Sequence, residues 1–185
     1  MYRRHGRCQP CSEAEKVRRI KPAGAMVTVA LSSPEHTRTL GRIIGDQARP
    51  GQIILLIGEL GAGKTTITQA IGRGLEVDER YYITSPTFTI LHEYPGKIPL
   101  YHMDFYRITD ETELFELGIE EYFHGNGLCV VEWPERLGSL TPDNRLEIRL
   151  NITGESSRTA ILTAQGSGWE PMLAAVADRL TSVTL

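Results

Sequence analysis

Eight residues, Gly58-Glu-Leu-Gly-Ala-Gly-Lys64-Thr65, match the pattern G-x-x-x-x-G-K-[ST] without a mismatch. The chemistry behind that spacing is phosphate binding. Gly58, Gly61 and Gly63 let the backbone curl so that its N–H groups converge on anionic oxygens. Glu59, Leu60 and Ala62 fill the loop between them. A helix beginning at Lys64 would add the positive end of its dipole. Lys64 is spaced to reach the β- and γ-phosphates, Thr65 to offer its hydroxyl to Mg²⁺, and Thr66 continues the first helical turn. The motif specifies ATP or a similar nucleotide with magnesium, but not what the energy serves.

Such a loop needs a buried strand before it and a helix after it. Gln52–Ile57 (QIILLI) is a short, continuously apolar run of the kind found inside parallel sheets. Lys64 to about Leu75 has Ile67, Ala70 and Ile71 on one helical face. Upstream, Val27–Leu31 reads as a strand. Pro34–Ala48 reads as a helix capped by Ser32 or Ser33. Downstream, strands are expected at Thr87–Tyr94 and Ile98–Met103, then an acidic helix from Asp110 to about Tyr122. Leu128–Glu132 is the next strand. Arg145–Ile152 and Arg158–Thr163 alternate strictly around Gly154, predicting an antiparallel hairpin with one wet face. A helix from about Glu170 to Leu180 follows. These elements predict one α/β domain, a three-layer P-loop NTPase fold whose mixed parallel and antiparallel sheet ends in a C-terminal β-hairpin.

Three further stretches place reactive groups near strand ends. Glu132 closes an apolar strand and precedes Trp133 and Pro134. It is either an exposed acid just past the core or the magnesium-side acid that ends a parallel strand. Trp133 is open between a packing residue and a wall of the nucleotide site. Ser85-Pro-Thr87-Phe88 is an ordinary hydroxyl-rich turn or a sensor of the γ-phosphate. In His102-Met-Asp104-Phe-Tyr-Arg107, Asp104 is an ordinary strand-end acid or the group that orients the attacking water.

At 185 residues, with 41% hydrophobic and 23% charged side chains, the chain suits one soluble domain. No run approaches the roughly 20 apolar residues of a membrane-spanning helix. The net charge of −3 is uneven. Residues 1–25 carry seven basic and two acidic side chains, while the remaining 160 carry 13 and 21. The acidic body argues against direct grip on RNA. The basic head lacks the apolar core of a secretory signal. Three cysteines do not make a disulfide framework, so a cytoplasmic location is expected. Cys8-x-x-Cys11 lacks the second pair of a zinc knuckle. Residues 1–25 are therefore expected to be a flexible basic extension, or the product of an upstream start with Met26 as the effective beginning. Residues 26–185 form the single ATPase domain.

Taken together and in this order, GELGAGKTT, SPTFTILHEY, HMDFYR, ELFELGIEEYF and VVEWPERL resemble the bacterial TsaE family, the small ATPase of tRNA threonylcarbamoyladenosine biosynthesis. The resemblance runs from about Val27 to the last helix. It implies a phosphate loop on Gly58–Thr66 and a switch on Ser85–Phe88, with Thr87 as phosphate sensor. It implies Asp104 as a catalytic or magnesium-orienting acid, Glu132 as a magnesium ligand beside Thr65, and Trp133 at the nucleotide. Thr37 and Arg158 would lie on the adenine side. It further implies a magnesium-dependent ATPase, weak alone and stimulated by TsaD and TsaB homologues. Such a protein meets tRNA only through that complex and does not itself transfer the threonylcarbamoyl group. A small-molecule or protein kinase built on the same loop is the main alternative, although the region after Glu132 offers Arg136 and no basic lid. A nucleotide-gated binding module without turnover is a third.

Overall fold

The computed structural model describes residues 24–181. The expectations for Cys8, Cys11 and the basic head fall outside those residues. The chain builds β1 (Met26–Leu31), α1 (Pro34–Gln47), β2 (Ile53–Ile57), α2 (Lys64–Gly74), β3 (Leu91–Tyr94) and β4 (Leu100–Asp104). It continues with α3 (Glu111–Glu116), α4 (Ile119–Phe123), β5 (Leu128–Glu132), β6 (Arg145–Ile152), β7 (Arg158–Gln165) and α5 (Glu170–Thr181). Two 3₁₀ turns, Pro134–Arg136 and Gly138–Leu140, lead from β5 toward β6. No helix among the described residues is long and apolar enough to cross a membrane.

The seven strands form one sheet in the order β1-β7-β6-β2-β5-β4-β3. β6, β2, β5 and β4 run parallel, whereas β7 and β3 pair antiparallel with their neighbours, and β1 with β7. This is the predicted mixed α/β architecture. Two cores, one on each sheet face, make it three-layered. One unites α1, α2 and α5 through Leu40, Ile44, Ile67, Ile71, Met172 and Val176 against Ile54, Leu56, Val130 and Ile148. The other sets Leu114, Ile119, Phe123 and Leu137 against Leu55, Met103, Cys129 and Val131. β2 and β5, in the middle of the sheet, are therefore covered on both faces, which is why their sequences are continuously apolar.

Glycines let α1 and α2 approach each other closely. A Cβ on Gly45 would stand 2.2 Å from the Ile71 carbonyl oxygen, and one on Gly41 would stand 2.5 Å from the Ala70 Cβ. Any larger side chain at either position would force the helices apart.

Two elements differ from expectation. The strand predicted from Thr87 begins only at Leu91, because Thr89 and Ile90 both bond back to the Pro86 carbonyl in a turn. Ile90 there takes a left-handed backbone, φ +68°, which a β-branched residue adopts only under constraint. The single acidic helix is two. Asp110 caps α3 in a capping box with Glu113, as its sequence suggests, but Gly118 at φ +65° turns the chain before α4.

Candidate functional site

The phosphate-loop residues sit where the sequence predicts, between the end of β2 and the start of α2. Gly61 and Gly63 have φ of +81° and +104°, and an added Cβ at either would meet nothing within 4 Å. Conformation, not crowding, requires glycine there. The Ala62 N–H donates to the Glu59 carbonyl at 3.1 Å and closes the tip. α1 and α3 are capped by side chains, but α2 has no side-chain cap. The first turn of α2 lines a cavity of about 380 Å³, and no side chain caps its N–H groups there.

That cavity is lined by Leu60, Gly61, Gly63, Lys64, Thr65 and Thr66 from the loop and helix. Facing them are Ser85 and Thr87, Asp104 and Tyr106, and Glu132 and Trp133, drawn from three separate segments. The sheet brings them together: β4 and β5 are parallel neighbours, and Asp104 pairs in register with Glu132. Both carboxylates lie at the carboxyl ends of their strands, where α/β sheets collect ligands.

Lys64 is 5% exposed, and its Nζ donates to the carbonyls of Gly58 at 2.8 Å and Glu59 at 3.1 Å. The same ammonium lies 3.9 Å from the centroid of the Trp133 ring. Burial pushes its pKa below the usual lysine range, and the carboxylates of Glu132, Asp104 and Glu135 pull it back up. Trp133 itself takes a left-handed backbone, φ +59°, ψ +51°, and its ring is 5.0 Å from that of Tyr106. Strain of this kind, about 1–3 kcal/mol, is characteristic of functional sites. The indole answers to both sequence readings: Trp133 is half-buried, packs against the second core and lines the cavity.

Glu132 is buried, so it is not an exposed acid at a strand end. Thr65 Oγ1 donates to its Oε1 at 3.0 Å. Asp104 is also buried and serves as an anchor. Its Oδ2 accepts hydrogen bonds from the hydroxyls of both Ser85 and Thr87, the latter at 2.9 Å, and its Oδ1 accepts from the Tyr106 N–H at 2.9 Å. One carboxylate thus ties the Ser85–Phe88 turn to the loop after β4. On the outer side of that turn Phe88 is exposed, with the Arg107 guanidinium 4.8 Å from its ring.

Of the predicted residues, Gly58, Glu59 and Ala62 of the loop do not line this cavity, and Thr37 and Arg158 lie outside it on other elements. Thr37 is buried within α1. Arg158, at the start of β7, braces the phosphate loop from outside: its Nε and Nη2 each donate at 3.2 Å, to the carbonyls of Ala62 and Gly61. The Glu59 side of the loop borders a second, wider groove that meets the cavity at Trp133. Sequence reading gave no individual role to Tyr106 or His102, and Ser85 entered only as part of the Ser85–Phe88 switch. Their signal was their place in the SPTF and HMDFYR stretches, where His102 and Asp104, two residues apart on β4, share a face of the sheet.

The donor set is suited to a nucleotide with a small hard cation. Two carboxylates and a hydroxyl are oxygen ligands, and no cluster of three His, Cys, Asp or Glu suited to a metal exists among the described residues. Mg²⁺ characteristically takes one or two carboxylates and fills its remaining positions with water and phosphate oxygens. The uncapped α2 terminus and Lys64 supply the complementary phosphate cradle.

Residues 31–160 match the family described as "Threonylcarbamoyl adenosine biosynthesis protein TsaE". The chain belongs to the TsaE family. A TsaE protein of Bacillus subtilis is 43% identical over 139 residues, spanning 75% of this chain and 85% of the relative. One from Nostoc is 41% identical over 143 residues, spanning 75% and 86%. Both are named tRNA threonylcarbamoyladenosine biosynthesis proteins. The crystal structure of the Bacillus subtilis protein YdiB superposes with a TM-score of 0.72 at 34% identity, covering 84% of this chain and 96% of that one. The TsaE match takes in the phosphate loop, both strand-end carboxylates, Trp133 and the first three residues of β7.

Proposed function

We propose that this TsaE-family protein binds and hydrolyses ATP with Mg²⁺, as an accessory to the threonylcarbamoyladenosine modification of tRNA in the cytoplasm. The observation that carries the reading is one cavity in which Lys64, Thr65 and the uncapped α2 terminus face Asp104, Glu132, Ser85 and Thr87.

Lys64 and the loop N–H groups bind the β- and γ-phosphates. Thr65 and Glu132 hold the magnesium, which screens phosphate charge when bound. Asp104 orients the attacking water, as base or as magnesium-orienting acid. Thr87, hydrogen-bonded to Asp104, senses the γ-phosphate. Trp133 walls the nucleotide. Arg158 acts on the adenine side through its brace on the loop, while Thr37, buried within α1, would reach adenine only indirectly.

Transfer of the threonylcarbamoyl group itself falls to the partners, TsaD and TsaB homologues, which also hold the tRNA. A protein partner at the cavity mouth is supported by its rim, where Leu60 and Phe88 are 80% and 85% exposed and Tyr106 is half-exposed. Hydrolysis would release the Ser85–Phe88 turn and the loop after β4, and so change the surface presented there.

The test has two parts. Depleting the protein and analysing bulk tRNA nucleosides should reduce threonylcarbamoyladenosine, and an undiminished level would refute the pathway. Phosphate release by the purified protein should be slow alone and faster with the two partners. A phosphorylated acceptor in place of free phosphate would make it a kinase, and no product at all would make it a nucleotide-gated module.

A further inference from the structure

His102 is fully buried on β4, and its Nε2 lies 2.9 Å from Glu132 Oε1. The ring's other nitrogen, Nδ1, is buried without a hydrogen-bond partner. An apolar residue would fill this space more cheaply, since an unpaired buried polar atom is destabilising.

The pairing fixes which nitrogen carries hydrogen. A bare Nε2 would set two acceptors 2.9 Å apart, so Nε2–H donates to the carboxylate. Thr65 donates to that same oxygen. Both of these hydrogen bonds to Glu132 therefore land on Oε1, and none among the described residues falls on Oε2. The geometry points to His102 as the positioning residue of Glu132: it anchors one carboxylate oxygen from inside the core, so that the other is presented to the cavity.

The inference rests on the magnesium role proposed for Glu132. Partners of this kind, one layer behind a metal ligand, commonly matter to metal affinity by about 10–100-fold.

Three variants separate positioning from packing. His102→Leu fills the space without a donor. His102→Asn carries its amide at the depth of Nδ1, too short to reach Glu132. His102→Gln carries it at the depth of Nε2. Binding of a fluorescent ATP analogue, titrated with magnesium, should show the half-effective magnesium concentration raised about 10-fold in the Leu and Asn variants. It should return to within about 3-fold of wild type in the Gln variant, and metal-free analogue binding should change by less than about 2-fold in all three. A purely packing role would lower the melting temperature without moving the magnesium midpoint. A folded His102→Leu protein with the wild-type midpoint, or a Gln variant as impaired as Leu, overturns the inference.

A second readout needs neither nucleotide nor metal. ¹⁵N NMR of the ligand-free wild type should show a slowly exchanging His102 Nε2 proton. Absence of that proton overturns the pairing. If the proton is present but nucleotide binding ignores magnesium, the proposed role of Glu132 fails, and the purpose assigned to the pairing fails with it.

Discussion

Thr87 donates its hydroxyl to Asp104 Oδ2 at 2.9 Å, joining two loops 17 residues apart on the rim of the nucleotide cavity. The contact couples the conformation of the Ser85–Phe88 turn to a carboxylate that faces the proposed phosphate. Thr87→Val keeps the shape and removes the donor. Phosphate release should fall at least about 10-fold, while nucleotide affinity stays within about 3-fold, since one hydrogen bond to a charged group is worth roughly 1.5–3 kcal/mol. Steady-state phosphate release and nucleotide titration of the same preparation check this.

Lys64 should dominate binding. Lys64→Ala removes a buried ammonium that caps the loop carbonyls and faces the cavity. Nucleotide affinity should fall by about 100-fold or more, as expected for the loss of a charge-assisted phosphate contact. Calorimetry measures it, and an unchanged Kd would refute the phosphate-loop assignment.

Glu132→Ala should separate metal from nucleotide. Its carboxylate meets Thr65 and not the loop backbone. Magnesium dependence of the ATPase should therefore weaken more than metal-free nucleotide binding. Full magnesium-dependent turnover in this variant would remove Glu132 from the site.

Cys129 gives a pH signature. Its thiol is buried in β5, and burial pushes its pKa up to about 12 from a usual value of 9.0. Above pH 9 the unfolded chain releases a proton that the folded chain keeps, so stability falls as pH rises, by about 1.4 kcal/mol per unit until about pH 12. Cys129→Ala removes this contribution. Urea unfolding at about pH 8 and about pH 10.5 should show a smaller loss for the variant than for wild type. Equal losses would mean that the thiol titrates normally in the fold.

Gly45 tests the contact between α1 and α2. The nearest backbone oxygen would stand 2.2 Å from a Cβ at this position. Gly45→Ala should destabilise by roughly 1–3 kcal/mol despite the better helix propensity of alanine. Denaturant midpoints decide it, and a stabilised variant would show that the helices can separate freely.

Much of this was legible in the chain because the signals are local. The spacing of Gly58, Gly61, Gly63, Lys64 and Thr65 determines a phosphate loop, since backbone curl and helix start are properties of adjacent residues. The apolar runs of β2 and β5 mark strands covered on both faces, and the capping residues Ser33 and Asp110 mark helix starts. The sequence also placed Glu132 at a strand end. Only tertiary structure decided what Glu132 and its neighbours do there. Strand order sets β4 beside β5 and so Asp104 beside Glu132, a pairing that periodicity along one segment does not encode. The hydrogen bonds of Glu132 to Thr65 and His102, and of Arg158 to the loop carbonyls, span 30 to 97 residues of sequence. The left-handed backbone of Trp133 and the turn that shortens β3 override local preference, because the surrounding contacts outweigh a few kcal/mol of strain.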